Sequence, residues 1–526
     1  MPPNPPPATS LSRRRLLGAG MTAGAGAMLV ACGGPAGEIE APKGEPERGG
    51  RLRVGLTGGG ASDTLDAHLP VNTTDIARCI NLYETLLYYN DDYVLTPLLA
   101  TKVTSSPNAK VWTAHLRRDV VFHDGRPMTG KDVAATFARI TDPKDPKSGA
   151  AGLTDLDKVV VAGEHKVEFH LKSPNAAFDD SLGQYANGIV PADYDPKHPV
   201  GTGPFKVKSF TAGQQSVFAR HDHYWRQGQP YLDELVILDF SDDDAIVNAL
   251  LSSQVDAIGQ IPLALTQVIG SDPRVNVLTS PTGSWMPFTM RIDKKPFDDK
   301  RVRQAFRLAV DRKQMIEQVY SGHGRIGNDM YAPFDPAYSK DLPQRRQDIR
   351  QAKKLLADAG HPNGLDVELV TAPIQSGAVE AAQVFAQQAK KAGIRVNIRR
   401  VDSTTFFGDN YLKWTFAQDF WYTRNFLPQV NSGTAQDAPF NETHWKNAKF
   451  TKLVAEATKT INEGQRNRLI EQAQKILYDE GGYIIWGFSD QADAYQKYVA
   501  GLKPNRTGLS LSGFQFRRVW LGGSNS

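Results

Sequence analysis

Apolar positions in this chain come in short runs whose period switches between two and about three and a half residues, the mark of strands and helices in alternation. The sharpest switch lies at residues 111–140. Val111, Thr113 and His115 alternate with Trp112, Ala114 and Leu116, which predicts a half-buried strand. His123-Asp124-Gly125-Arg126-Pro127 is turn chemistry, because glycine tolerates positive φ and proline fixes its own. Thr129 then offers an N-cap hydroxyl, with Asp132 three residues on where a capping box usually has Glu. Val133, Phe137 and Ile140 follow at i, i+4 and i+7, so one face of the helix is apolar.

The same reading extends along the chain. Residues 52–57 predict a strand, followed by Gly58-Gly59-Gly60, which suits either close ligand approach or a flexible loop. Residues 157–171 predict a hairpin setting Val159 and Val161 against Val167, Phe169 and Leu171. Ser241 is expected to cap a helix whose first turn holds Asp242, Asp243 and Asp244, charges that suit a helix N-terminus. Residues 284–292 read as one long strand, and Val302, Phe306, Ala309 and Val310 as a buried helix face. Gly322 to Gly327 matches G-x-G-x-x-G, but it follows a helix rather than a strand, so a dinucleotide site fails on context and Gly322 reads as a helix C-cap. Helix 350–359, strand 365–371, helix 378–392 and strand 394–401 predict a right-handed parallel crossover. Helices at about 449–460 and 464–480 and a strand at 483–492 complete the pattern.

Length and charge narrow the function. A chain of 526 residues, 40 % hydrophobic and 22 % charged, is ordinary globular material in several domain-sized units. The formal charge is +4, but Arg13, Arg14 and Arg15 lie in an acid-free first stretch, and residues 32–526 carry 58 basic against 57 acidic side chains, net +1. A near-neutral body without a basic stripe disfavours nucleic acid as partner. The two cysteines, Cys32 and Cys79, provide no disulfide framework.

Residues 1–31 read as an export signal rather than fold. Ser12-Arg13-Arg14-Arg15-Leu16-Leu17 resembles a twin-arginine motif, with Leu16 where Phe is commoner. The apolar segment 16–30 is shorter than the roughly 20 residues of a membrane-spanning helix. It ends in Leu29-Val30-Ala31-Cys32, which resembles a lipobox; Cys32 would become the mature N-terminus and carry a lipid anchor. Residues 33–50, rich in Gly, Pro and Glu, are a linker with nothing to bury.

Several motifs carry a family resemblance. Val121-Phe122-His123-Asp124-Gly125-Arg126-Pro127-Met128-Thr129 with Asp132-Val133 resembles the signature of the peptide/nickel class (family 5) of extracytoplasmic solute-binding proteins, the ligand-catching subunits of ABC importers. Gly201-Thr202-Gly203-Pro204-Phe205, His223-Tyr224-Trp225, residues 296–320 and residues 441–445 (NETHW) resemble further tags of that class. The resemblance implies an α/β, two-lobed periplasmic-binding-protein-like fold (type II, cluster C) with an extra N-terminal subdomain and two connecting strands. It implies lobe I over 51–284 and 490–526, with the subdomain at about 90–200, and lobe II over 285–489. The expected protein is a lipid-anchored, monomeric, extracytoplasmic binder of a peptide or other small molecule. It would serve an ABC permease and ATPase, with no cofactor and no nucleic acid. His123-Asp124 as a hydrolase metal pair and His221-x-His223 as metal ligands both lack the further ligands such sites need, so turn and surface readings outweigh them.

The ligand wall is expected in residues 406–426, where nine aromatics fall in 21 residues against about two at the chain-wide frequency of 9 %. Peptide-binding members of the class place an Asp in W-x-x-D to neutralise the ligand's ammonium. One register puts Asp419 there. The other, preferred here, aligns Trp421-Tyr422-Thr423-Arg424 with a W-x-x-R-P variant, so that Arg424 receives an anionic group. An Arg424–Asp419 brace is the competing structural reading. Trp421, Tyr422, Trp285 and Trp486 complete the expected contacts. No G-x-S-x-G, HExxH, CxxC or phosphate loop is present, which argues against an enzyme. Twin-arginine export keeps a secreted, cofactor-loaded enzyme as the alternative.

Overall fold

The protein is described from a computed structural model covering residues 42, 44–70 and 72–522. The export motif, the apolar segment and Cys32 lie outside the described residues.

The strand–turn–helix unit forms as its periodicity requires. Strand Val111–Leu116 is followed by helix Gly130–Ile140, whose N-terminus is closed by Thr129 and Asp132. The Asp132 carboxylate accepts the Thr129 backbone N–H at 2.8 Å, and the Thr129 hydroxyl accepts from Lys131 at 3.3 Å. Asp thus performs the capping-box role of Glu. Val133, Phe137 and Ile140 are fully buried on a four-stranded antiparallel sheet ordered Ala100–Ser105, Val111–Leu116, Lys166–Leu171, Leu156–Gly163. Burying each such side chain contributes about 1.5–3 kcal/mol. The hairpin register pairs Val159 with Phe169 and Val161 with Val167, as expected, and this sheet and helix form the subdomain's own core.

The largest sheet runs Val275–Pro281, Gly487–Gln496, Ala257–Ile258, Arg51–Thr57, Glu234–Phe240, Gln215–Arg220, Phe205–Thr211. Arg51–Thr57 pairs in parallel with Glu234–Phe240, while Gly487–Gln496 runs antiparallel to Val275–Pro281. Gly201 and Gly203 seat the turn before Phe205: a Cβ on either would stand 2.0 or 2.4 Å from backbone oxygens of Leu82 and Asn81. Helix Asp243–Leu251 is capped by Asp242, which accepts from Ala245, so the cap lies one residue beyond Ser241. The Ser241 hydroxyl instead supports the Asp242 carboxylate at 2.8 Å.

A second α/β region contains the parallel pair Leu365–Thr371 and Ile394–Arg400 joined through helix Ala378–Lys390, and a small sheet Phe416–Gln418, Phe288–Met290, Tyr483–Ile484. Its apolar interior, among the described residues, divides into three clusters: one around Phe288, Phe306, Phe385 and Phe416, one around Trp285, Tyr331, Trp421 and helices Ala448–Lys459 and Glu463–Glu480, and a small one of Val370, Ala372, Phe406 and Ala417. The two crossing segments are more broken than their alternation suggests. Residues 284–292 form only the strand Phe288–Met290 plus a single bridge from Trp285 to Trp421, and 483–492 is split at Ile485-Trp486. Strand Gly324–Ile326, inside the G-x-G-x-x-G match, pairs with the returning crossing strand rather than opening a phosphate site.

His123 and His221 are structural. Nε2 of His123 and Nδ1 of His221 both meet the Gly203 carbonyl at 3.1 Å, and the two rings pack edge to face at 5.0 Å.

Candidate functional site

Trp421 is itself buried, 7 % exposed, and is anchored from several sides. Trp285 and Trp421 exchange backbone hydrogen bonds at 2.9 Å in both directions, and their rings stack 6.0 Å apart at 17°. Tyr331 lies on Trp285 at 5.6 Å and 16°, and Tyr483 meets it edge-on at 5.3 Å. Trp285 is therefore enclosed, 2 % exposed, and supports the wall from behind. Gly433 makes room for the indole of Trp421, since a Cβ there would fall 2.6 Å from the ring. Trp486 does not join this wall. It is fully buried in the cluster around Phe288, 4.6 Å from Tyr320, where its ring packs the core and has no surface to give a solute.

Asp419 is engaged with its neighbours. One carboxyl oxygen accepts from Tyr411 Oη at 2.9 Å, the other from the Phe420 N–H at 2.7 Å, and the group is hydrogen-bonded to Glu442. Glu442 accepts from Trp421 Nε1 at 3.0 Å and from the hydroxyl of Tyr483. Burial drives both carboxyls above their ordinary range, Glu442 furthest, and their proximity adds to its rise. Two adjacent carboxyls out of water cannot both ionise at little cost, so the pair retains a proton. A cavity of about 10 Å³, room for about one water, lies against Asp419, Glu442, Tyr411 and Trp414. Glu442 escaped the sequence reading; its only signal was its place in the NETHW tag.

The backbone around Arg424 is pinned by segments far apart in the sequence. The Thr423 hydroxyl accepts from the Gly283 N–H at 2.8 Å and donates to the Arg506 carbonyl at 2.9 Å. The Thr423 carbonyl accepts from Tyr93 Oη at 3.1 Å. Asn425 Nδ2 donates to Tyr89 Oη at 3.2 Å, and the Phe426 N–H donates to Asp335 at 2.7 Å. The side chain held between these fixed points makes no hydrogen bond and no ion pair among the described residues. Its guanidinium rests 5.3 Å from the centre of the Trp421 ring, and Nη1 is buried without an acceptor. Burial lowers its pKa, opposed by the nearby Tyr93, Tyr185 and Asp180. The Arg424–Asp419 brace does not form. Tyr422 is 54 % exposed beside it.

Residues 89–93 and 179–180 lie close by, and the sequence did not single them out. Tyr89 and Tyr93 stack at 4.2 Å and 7°, and the Tyr89 hydroxyl donates to Asp180. Asp179 is pushed up to about 6 by burial and by its neighbour Asp180. Among the described residues no group of three or more His, Cys, Asp or Glu is placed to hold a metal ion.

Comparison with known proteins agrees with this architecture. The sequence model for bacterial extracellular solute-binding proteins, family 5 (Middle), matches residues 94–438. The glutathione-binding protein GsiB of Salmonella choleraesuis (strain SC-B67) is 24 % identical over 460 residues, covering 83 % of this chain and 89 % of that one. Among solved structures, the binding protein AgaA from A.tumefacien R10, in complex with agropinic acid, is 27 % identical with a TM-score of 0.74, over 90 % of this chain and 99 % of that one. DppA from Helicobacter pylori, an ABC transporter-associated periplasmic binding protein in complex with the peptide STSA, is 23 % identical with a TM-score of 0.74, over 91 % and 99 %. The last shares the two-lobed fold.

Proposed function

The chain belongs to family 5 of the bacterial extracellular solute-binding proteins, the peptide/nickel class of ABC-importer subunits, and from that premise we propose that it captures a small solute bearing an anionic group, peptide-like or otherwise, and delivers it to a membrane permease. The observation that carries this reading is Arg424: its backbone is pinned on both sides, its guanidinium lies on an aromatic face, and none of its donors is used among the described residues. A planar fork of this kind suits a carboxylate, phosphate or sulfonate. The acid bound by AgaA is in keeping with such a ligand, and the peptide bound by DppA carries a terminal carboxylate that the same fork would take.

Capture would proceed by closure of lobe I (51–284 and 490–526, with its subdomain at about 90–200) against lobe II (285–489). A micromolar complex is worth about 8 kcal/mol, and only contacts made with both lobes together shift the open–closed equilibrium. Arg424 is suited to supply lobe II's half of that double contact. Lipidation of Cys32 after twin-arginine export would hold the binder at the outer face of the membrane, because two or more acyl chains give stable anchoring. Isothermal titration of wild type and Arg424→Ala with panels of peptides and small organic acids tests the reading. A ligand that binds both proteins equally well sinks it. Mass spectrometry of the released ligand separates a binder, which returns it unchanged, from an exported enzyme.

A further inference from the structure

The tag Asn441-Glu442-Thr443-His444-Trp445 folds as a loop around its own asparagine. Asn441 accepts the Trp445 N–H at 2.9 Å and donates to the carbonyls of Trp445 and Ala435 at 3.1 and 3.2 Å. Nε2 of His444 meets the Leu412 carbonyl at 2.8 Å, and the Ile292 N–H donates to the Thr443 carbonyl at 3.0 Å. With its backbone fixed on these sides, Glu442 reaches a column of rings. Trp421 stacks on Trp285, Trp285 on Tyr331, and Tyr331 on Phe426 at 5.3 Å and 20°, while Tyr483 meets Trp285 edge-on. Glu442 holds two of these rings, Trp421 through Nε1 and Tyr483 through its hydroxyl. Burial and dispersion keep an indole in the stack, but they are non-directional and specify its rotation only weakly. Direction comes from the hydrogen bond, and among the described residues Trp421 Nε1 has one partner, Oε1 of Glu442 at 3.0 Å. On that same ring rests the Arg424 guanidinium, with Nη1 buried and unpaired.

We propose that Glu442 is the positioning residue of the Arg424 seat: it orients the Trp421 indole through the Nε1–H bond, and the indole sets the guanidinium for an anionic group. The proposal rests on Arg424 receiving that group. A guanidinium placed in advance binds an anion without first being ordered, so the support under it contributes to affinity although it never touches the ligand. The role asks for an acceptor at Oε1 rather than for a charge. Oε2 faces the Tyr483 hydroxyl, which also lies 3.1 Å from the Gly433 carbonyl, and Asp419 is hydrogen-bonded to the same carboxyl. Glutamine can replace such a group, giving a carbonyl oxygen to the indole and N–H groups to the neighbouring oxygens. Methionine fills similar space and offers only a weak acceptor.

The test is an NMR titration of the full chain with acetate, read at the Arg424 Nε–H signal, which is identified by its loss in Arg424→Ala. Wild type should show a saturable shift. Glu442→Met should weaken acetate about 2–5-fold, the worth of one guanidinium–ring contact, and Glu442→Gln should recover most of that loss. Trp421→Phe removes the indole N–H and should weaken acetate as Glu442→Met does. The double variant Glu442→Met/Trp421→Phe should be no weaker than Trp421→Phe alone, because Glu442 then has no indole to orient; a merely structural role gives losses that add. Additive losses, wild-type affinity in Glu442→Met, or a Gln variant as weak as the Met variant overturns the proposal. Should Glu442→Met fail to fold, Glu442→Asp, shorter by one methylene than the reach to the indole, takes its place in the same cycle. If acetate moves the Arg424 signal equally in wild type and in Glu442→Met, only the positioning role falls. If acetate leaves the signal unmoved in wild type, the anionic-group reading falls and the positioning role with it.

Discussion

Arg78 and Arg424 are the same side chain put to opposite uses. Arg78, wholly buried in lobe I, spends its donors on its neighbours: Nη1 on Asp63 and Asp75 at 3.0 and 2.9 Å, Nη2 on both oxygens of Asp239 at 2.6 and 2.7 Å, and Nε on Ser216 at 2.6 Å. Three carboxylates around one cation overcompensate its charge, and burial pushes Asp239 up to about 6 despite the contact. Arg424 is held by its backbone while its guanidinium is left unsatisfied. An unpaired charge held partly out of water is costly, and such groups concentrate at functional sites, which is the basis for proposing Arg424 as the seat of an anionic group. The difference between the two lies in their donors: every guanidinium nitrogen of Arg78 is engaged by side chains of the fold, and none of Arg424's is among the described residues.

The contrast can be broken most forcefully at Arg78. Removing one member of a buried ion cluster leaves the rest uncompensated, so Arg78→Ala should lose about 3–5 kcal/mol of stability in urea denaturation. A wild-type midpoint would show that the cluster is not structural. Arg424→Ala should do the reverse: unfolding free energy within about 1 kcal/mol of wild type, and affinity for the anionic ligand reduced about 10–100-fold, as expected for a charged hydrogen bond worth about 1.5–3 kcal/mol. Arg424→Lys, which keeps the charge and loses the fork, should fall between them in the same titration.

A finer comparison sets Asp419–Glu442 beside the buried histidines. Folding raises both carboxyls, so it favours their protonated forms. Their contribution is full below the unfolded pKa values and is lost as pH rises through the folded ones. Glu442→Gln should therefore flatten the alkaline side of a plot of urea midpoint against pH; an unaltered slope would remove the shared proton. His68 and His123 act in the opposite direction. Burial holds them at about 4 and about 3, so folding favours neutral imidazole. That stability is full above about 6.5 and is lost as pH falls towards those values. Imidazole NMR shifts should show both rings still neutral at about pH 5, the smallest effect of this series.

Much of the fold was legible because its signals are local. The Val111–Leu116 alternation, the Thr129/Asp132 cap and the Val133–Phe137–Ile140 face each need only a few residues to be read. Prediction failed where the answer lay across the chain. The run 284–292 alternates like a strand, yet only Phe288–Met290 finds partners for a ladder, since residues just before it serve the Trp285–Trp421 bridge. Trp486 has the composition of a ligand contact, but the packing of Tyr320 encloses it. Glu442 became visible as the partner of Asp419 only when the 22 intervening residues folded back.

The sequence by itself determined the element order, the caps, the aromatic density of residues 406–426 and, through spaced motifs, the family resemblance. These follow from periodicity and from residue chemistry acting over a few positions. Which arginine is satisfied, which aspartate shares a proton and which tyrosines face open space were decided by tertiary structure alone. Each depends on donors and acceptors supplied by segments tens to hundreds of residues away, and no local pattern encodes how those segments meet.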